Sequence, residues 1–462
     1  MEENKDRSWP DLLGPRFIWA YVLAAAALIA ILADFRGGYV GGDYSLHLEK
    51  ILNWAKVFDF SGVPDPPPYY FLAHLLYLLI GKNNAFPITL SIIQVLIGSY
   101  AVWWFAAYTE PRFKSRLVHL SLVVFLAFLP VRVIHTASLE VDWTTIPVLV
   151  LLLFAFERFR TGERSIMQNA CYIGLVLTLA IWSKYSFVSA LPIFFLLFVY
   201  LAFKQAWSMQ RFVAVCALAL IVPSALFIYS MREITKADGF AAHIWLPKEG
   251  APGQPDMDYY DLFSVKTADI ELLKAPEEFT PEPGETSYHV GFRAPHKHSY
   301  LGLSHLSTFS DTMNLFQNLP VPQSLDTYLI PDFKRRDPWK TTVMQAAMTL
   351  GLIWTLLALI GTAWLFVAAV IQYFRGKLER EHIVAMFGMA YFLLLFLPIP
   401  YVYNGDLNGY WMARLILVPL TFFFLAGFLF YDRKLAVRSE KLGYAILGLV
   451  IVQASIEAIM MI

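Results

Sequence analysis

Apolar stretches long enough to cross a bilayer, about 17–25 residues each, recur along the chain with short polar breaks between them. They lie near 17–34, 87–108, 119–135, 144–156, 166–182, 187–203, 212–231, 343–373, 382–398, 411–430 and 442–460, and they predict about eleven transmembrane helices and no sheet. Two breaks are longer. The first, 35–86, contains PDPPPYYFLAHLLYLLIG. Prolines at 66–68 start a helix well, because the amides they lack have no partner in a first turn. The apolar run that follows is too short to span comfortably, so it is expected to lie along the membrane surface. The second break, 232–341, is rich in proline and carries more acids than bases. Unstructured loops of about 110 residues are uncommon in compact proteins, so an outer cap with some helix is expected there.

Composition agrees with the pattern. The chain has 462 residues, 58% hydrophobic and 16% charged, against about 25% charged in ordinary soluble domains. The formal net charge is zero, so nothing points to nucleic acid. Cys171 and Cys216 both lie in apolar runs and read as small core hydrophobes, not as a disulfide or metal pair. The polar N-terminus lacks a small-residue cleavage site after the first apolar run, so 17–34 reads as a retained span.

Charge fixes an orientation. With the N-terminus inside, the short inner loops 109–119, 157–165, 203–212, 374–381 and 431–441 carry fifteen Lys and Arg, whereas the short outer loops 131–143, 183–186 and 399–414 carry three. Positive residues accumulate on the cytoplasmic side, which puts the C-terminus and both long breaks outside. The chain divides accordingly into an N-terminal membrane module (1–231, with the first outer loop at 35–86), an outer segment (232–341) and a C-terminal membrane module (342–462).

That topology gathers the chemistry on one face. Asp43 in GGDYSLH, with His47 four residues on, falls at the outer end of the first span. Glu140 and Asp142 in HTASLEVDWTTIP, Lys184 in IWSKYSF and Arg414 in NGDLNGYWMARLILVP share that face. Ionisable groups at membrane depth are costly and tend to line functional cavities. Each has a plainer role too. Asp43 could cap a helix beginning at Tyr44; Glu140 and Asp142 could be solvated loop acids; Lys184 and Arg414 could be snorkelling. Both bases nonetheless run against the positive-inside bias, and an anionic partner at the outer face accounts for that. A phosphate suits the fork of arginine and the point charge of lysine. An aspartate nearby suits a general base acting on an incoming hydroxyl. Cations on a departing lipid phosphate, with a base activating the acceptor, describe one-step transfer of a sugar with inversion.

Four stretches carry a family resemblance: GGDYSLH, PPPYYFLAHLLYLL, SKYSFVSALP and ARLILVPL. In order and outer placement they resemble the motifs of the C-type (GT-C) integral-membrane glycosyltransferases that use polyprenyl-phosphate sugars, in particular protein O-mannosyltransferases and lipid A aminoarabinose transferases. The resemblance implies a GT-C fold with outer juxtamembrane helices and Asp43 as base. It implies lipid-phosphate contacts from Lys184 and Arg414 and a second outer acid at either Glu140 or Asp142. His47, Tyr185, Tyr410 and Arg293 would contact substrate, and a divalent metal, Mg or Mn, would fall at Glu140 and Asp142 if one is used. It also implies a polyprenyl-phosphate-linked sugar as donor and a lipid, glycan or protein as acceptor, as in cell-envelope glycolipid or lipopolysaccharide assembly at a bacterial inner membrane. Two departures stand out: Tyr44 follows Asp43 where the family often has a second acid, and Leu415 stands where tyrosine is usual.

SYHVGFRAPHKHSYLGLSHL in the long outer segment holds His289, His296, His298 and His305. Without cysteine or carboxylate spacing, a polar lining for an acceptor cleft is expected there over zinc. Two other functions compete with transfer: a polymerase or ligase working on pyrophosphate-linked glycans, and a transporter or lipid flippase. Transporters carry charges at the midplane and often internal repeats; no repeat is evident here, and the charges sit at the rim. A scaffold would have no use for Lys184 and Arg414 outside.

Overall fold

The computed structural model describes residues 15–37, 44–54, 66–81, 85–139, 141–161, 165–238, 305, 308–309, 338–375, 377, 380–396 and 416–461. All regular elements among them are helical. They are α1 (Pro15–Gly37), α2 (Tyr44–Leu52), α3 (Pro67–Ile80), α4 (Ala85–Thr109), α5 (Arg116–Phe128), α6 (Pro130–Ala137), α7 (Thr145–Thr161) and α8 (Ile166–Ser183). There follow α9 (Ala190–Lys204), α10 (Met209–Cys216), α11 (Val222–Asp238), α12 (Pro338–Phe374), α13 (Arg380–Phe396), α14 (Leu417–Lys434) and α15 (Glu440–Met461).

A helix stands at each predicted apolar stretch. Among the described residues six are long and apolar enough to cross a membrane, or seven if α5 and α6 count as one span bent by 45°. Elsewhere α7 is 17 residues long, and α14 ends in the charged run Asp432, Arg433, Lys434. The predicted third span breaks at Pro130, whose ring and missing amide interrupt the helical ladder, so that α6 starts afresh with proline in its first turn. Of the predicted tenth span, residues 411–415 lie outside the described residues, and the described part is helical from Leu417. Helix also extends further toward the long outer segment than predicted, with α11 reaching Asp238 and α12 beginning at Pro338.

The bundle is inverted relative to a soluble protein. Large apolar side chains face outward around its girth, including Leu28, Leu175, Leu196, Ile228, Leu356 and Val367, a surface that water would not tolerate. Cys171, expected in the core, is among the exposed positions, and both cysteines are free. Inside, aromatic rings interlock: Phe125 meets Phe424 edge-on at 4.7 Å, and Trp354 stacks on Phe428 at 5.7 Å. α12 and α14 cross with almost no side chain between them. A Cβ on Gly361 would run into the Ala426 carbonyl, and one on Gly427 would lie 2.8 Å from the Leu357 carbonyl. Small residues that let backbones touch are a main means of helix association in lipid.

Four of the five loops assigned to the inner side converge on one end of the bundle. Asp432, fully buried, accepts hydrogen bonds from the backbone amides of Lys114 and Ser115 at 2.8 Å each. Next to it, Arg433 pairs with Glu381 and reaches the Arg112 carbonyl at 3.4 Å. Arg112 in turn pairs with Glu157 at 3.4 Å. The cluster joins both halves of the chain, tying the start of α5 to the end of α14. Asp432→Ala should cost about 2 kcal/mol, because a buried donor left unsatisfied costs ~1–3 kcal/mol. The check is the apparent melting temperature in detergent, where Asp432→Asn, which keeps one acceptor, should lose less.

Candidate functional site

The opposite end of the bundle carries His47, Asp142 and Lys184, three of the residues singled out above. α3 begins at the proline run, as expected, and sorts its side chains sharply: Pro67, Tyr69, Tyr70 and Ala73 are buried, while Leu72, Leu75, Leu78 and Leu79 are exposed. The leucines suit lipid, and the tyrosines anchor the helix to the bundle. α2 packs on α3 through His47, buried, whose Nδ1 shares a 2.6 Å hydrogen bond with the Tyr70 hydroxyl. The Lys50 ammonium lies 4.6 Å above the Tyr70 ring, and His74 donates from Nδ1 to the Ile51 carbonyl at 2.7 Å. Trp54 stacks on the same tyrosine at 6.0 Å. So His47 fastens α2 to α3, a role beyond the substrate contact expected of it.

From Tyr70 the polar network continues into the bundle. The Tyr69 ring meets Tyr70 edge-on at 5.1 Å, and its hydroxyl reaches Gln94 of α4, a fully buried amide. In the orientation that satisfies every partner, the Gln94 oxygen accepts from Tyr69 at 3.1 Å and from the Trp143 indole N–H at 3.0 Å, while its nitrogen donates to the Ser138 carbonyl at 3.2 Å. One amide thus fastens α3, α4, the end of α6 and the turn before α7. These links were missed from the sequence, although Gln94 in an otherwise apolar span was a visible signal: an uncharged polar side chain there needs partners from other helices.

Trp143 belongs to the 3-10 turn Val141–Thr144, which ends at the start of α7. Its neighbour Asp142 forms an ion pair with Lys184. Both residues are only 6% exposed, so the pair is buried, where breaking it by removing one partner typically costs ~3–5 kcal/mol. Lys184 sits at a rigid corner. Its amide donates to the Ala180 carbonyl to close α8, and its carbonyl accepts from Phe187 in the next turn, both at 3.0 Å. Thr144 Oγ1 braces the opposing turn by donating to the Val141 carbonyl at 2.7 Å. Two loops far apart in sequence therefore hold opposite charges in fixed positions.

Not every candidate joins this cluster. Tyr185, beside Lys184, packs its half-buried ring edge-on against Phe227 of α11 at 6.2 Å. Two further polar residues, Arg132 and His135 of α6, not among the candidates above, are buried inside the bundle; Arg132 donates to the Ala127 carbonyl and borders a void of about 10 Å³. His305 does not line an open cleft. It is packed against α12, donating from Nε2 to the Met348 carbonyl at 3.1 Å and pairing Nδ1 with the Thr355 hydroxyl at 2.9 Å, with Phe309 5.2 Å away. Asp43, Glu140, Arg293, His289, His296, His298, Tyr410 and Arg414 lie outside the described residues.

Among the described residues, no three His, Cys, Asp or Glu side chains come together to hold a metal. Asp142 is also poorly placed for one, since a second cation would have to displace or tolerate the Lys184 ammonium. An apolar groove of about 270 Å³ opens between α7, α9 and α13, lined by Leu149, Phe156, Ile193, Leu197, Tyr200 and Phe387 among others.

No protein-family model matches the chain, and no curated protein matches it. Among solved structures it is similar to the oligosaccharyltransferase AglB from the archaeon Archaeoglobus fulgidus, solved with an inhibitory peptide and a dolichol-phosphate. The TM-score is 0.45 at 13% identity, over 96% of this chain and 55% of that one. The chain spans about half the length of that protein, and a likeness at this level assigns neither family nor role.

Proposed function

We propose that the protein is an inverting glycosyltransferase of GT-C type that moves a sugar from a polyprenyl-phosphate carrier to an acceptor hydroxyl at the extracytoplasmic membrane face. The observation that carries this reading is the buried charge at one end of the bundle: Lys184 held at a helix corner, in the same structured end as His47 and Asp142. A lysine so placed suits a phosphate at the headgroup level, and the apolar groove between α7, α9 and α13 suits part of a polyprenyl chain.

In the proposed reaction the acceptor oxygen attacks the anomeric carbon from the face opposite the phosphate. Asp43 takes the acceptor's proton as the new C–O bond forms. The bond from the anomeric carbon to the phosphate oxygen breaks, and its electron pair leaves with the lipid phosphate. Lys184 and Arg414 stabilise the charge that grows there. His47 orients the first outer loop through Tyr70. Glu140, Tyr185, Tyr410 and Arg293 are assigned to the substrate, with a lipid, glycan or protein as acceptor.

Native mass spectrometry of the purified protein with its lipids retained tests this reading. A co-purifying polyprenyl monophosphate that is lost on Arg414→Ala is the expected result. A pyrophosphate-linked glycan would instead indicate a polymerase or ligase, and ordinary phospholipid alone would indicate a transporter. Since Lys184 already neutralises Asp142, transfer is also expected to survive thorough chelation of divalent metals; loss of turnover restored by Mg or Mn would place a cation at Glu140 and Asp142.

A further inference from the structure

A buried ammonium needs a counter-charge in every state of the protein, because an isolated ion in a low-dielectric interior is severely penalised. Here that counter-charge is the Asp142 carboxylate. It comes from a separate loop, and the two turns are braced independently, by Thr144 on one side and by the close of α8 on the other. A phosphate approaching Lys184 therefore meets a cation whose charge is already matched by a carboxylate. We infer that Asp142 is the resident counter-ion of Lys184, and that the phosphate of a lipid ligand binds by taking its place on the ammonium.

The inference rests on the transferase reading and adds a role to it: Asp142 competes with the ligand and does not coordinate it. The competition also confers selectivity. After exchange the displaced carboxylate stays near the phosphate, and like charges at short range repel. That repulsion is larger for a lipid monophosphate bearing close to two charges than for a sugar phosphodiester bearing one. Asp142 thus favours departure of the spent carrier over loss of the loaded donor. An uncharged lipid gains nothing from the exchange.

The test measures binding of a synthetic polyprenyl monophosphate to the full chain in nanodiscs, with the uncharged polyprenol of the same length as control. Asp142→Asn should bind the phosphate about tenfold more tightly than the wild type, a difference of about 1.4 kcal/mol, with polyprenol binding unchanged. Lys184→Gln combined with Asp142→Asn removes both charges and should bind it more weakly than either Asp142→Asn or the wild type. Should the asparagine variant fail to fold, Asp142→Ser keeps a small acceptor for the ammonium and carries the same expectation. Equal or weaker phosphate binding by a folded Asp142 variant, with the wild type binding normally, overturns the exchange and leaves the transferase reading in place. A wild type that does not distinguish the phosphate from the polyprenol removes both.

Discussion

Asp43→Asn is expected to cut glycosyl transfer by roughly a thousandfold, within the ~10²–10⁴-fold span of general acid–base catalysis, while leaving the protein folded and its donor affinity unchanged. The substitution separates the two roles open to this residue. Asparagine caps a helix about as well as aspartate, so a residue that merely preceded the helix at Tyr44–Leu52 would lose nothing by the change. A base would lose nearly everything, since the amide cannot accept the acceptor's proton. The geometry around the helix makes the experiment clean. α2 is fastened to α3 through His47–Tyr70 and His74–Ile51, contacts that the substitution does not touch. Turnover measured with a radiolabelled polyprenyl-phosphate sugar, alongside donor binding by native mass spectrometry, gives both quantities. Turnover near the wild-type rate would remove Asp43 from the chemistry.

How much of this was legible beforehand follows from what kind of signal each residue gives. Lys184, Asp142 and His47 stood out as polar groups at the ends of apolar runs, and the charge bias of the loops put them on one face. The structure brings all three to one end of the bundle. It likewise gathers four loops assigned to the opposite side around Arg112, Asp432 and Arg433. Pairings were not legible. Asp142 and Lys184 are 42 positions apart, and Asp432 meets backbone amides more than 300 positions away; no periodicity encodes such distances. Gln94 was visible as a polar residue in an apolar span, but its partners were not, because they depend on the register of neighbouring helices that place Tyr69, Trp143 and Ser138 around it. The bend at Pro130 was available from the proline, yet the apolar pattern runs straight through it. His305 misled because a histidine in a polar loop reads as solvent-facing, whereas this one finds both its partners on α12.

Lys184→Ala is expected to have the second large effect, on binding and on stability together. Donor affinity should fall sharply, because the alanine leaves no positive charge at the corner that closes α8. Stability should fall as well. The truncation takes from Asp142, buried at 6% exposure, the ammonium it pairs with, and breaking a buried pair by removing one partner costs ~3–5 kcal/mol. The two losses can be separated. Lys184→Ala with Asp142→Asn removes both charges, so it should recover most of the apparent melting temperature and none of the donor affinity. A role confined to holding the two turns together predicts the opposite pattern, in which affinity returns along with stability. Lys184→Arg offers a third point: guanidinium keeps the charge and reaches carboxylate in a bidentate fork, so stability should hold while the tighter grip on Asp142 slows phosphate capture. Donor affinity and melting temperature for these three variants, measured on the same preparations, decide whether Lys184 serves the ligand or only the fold.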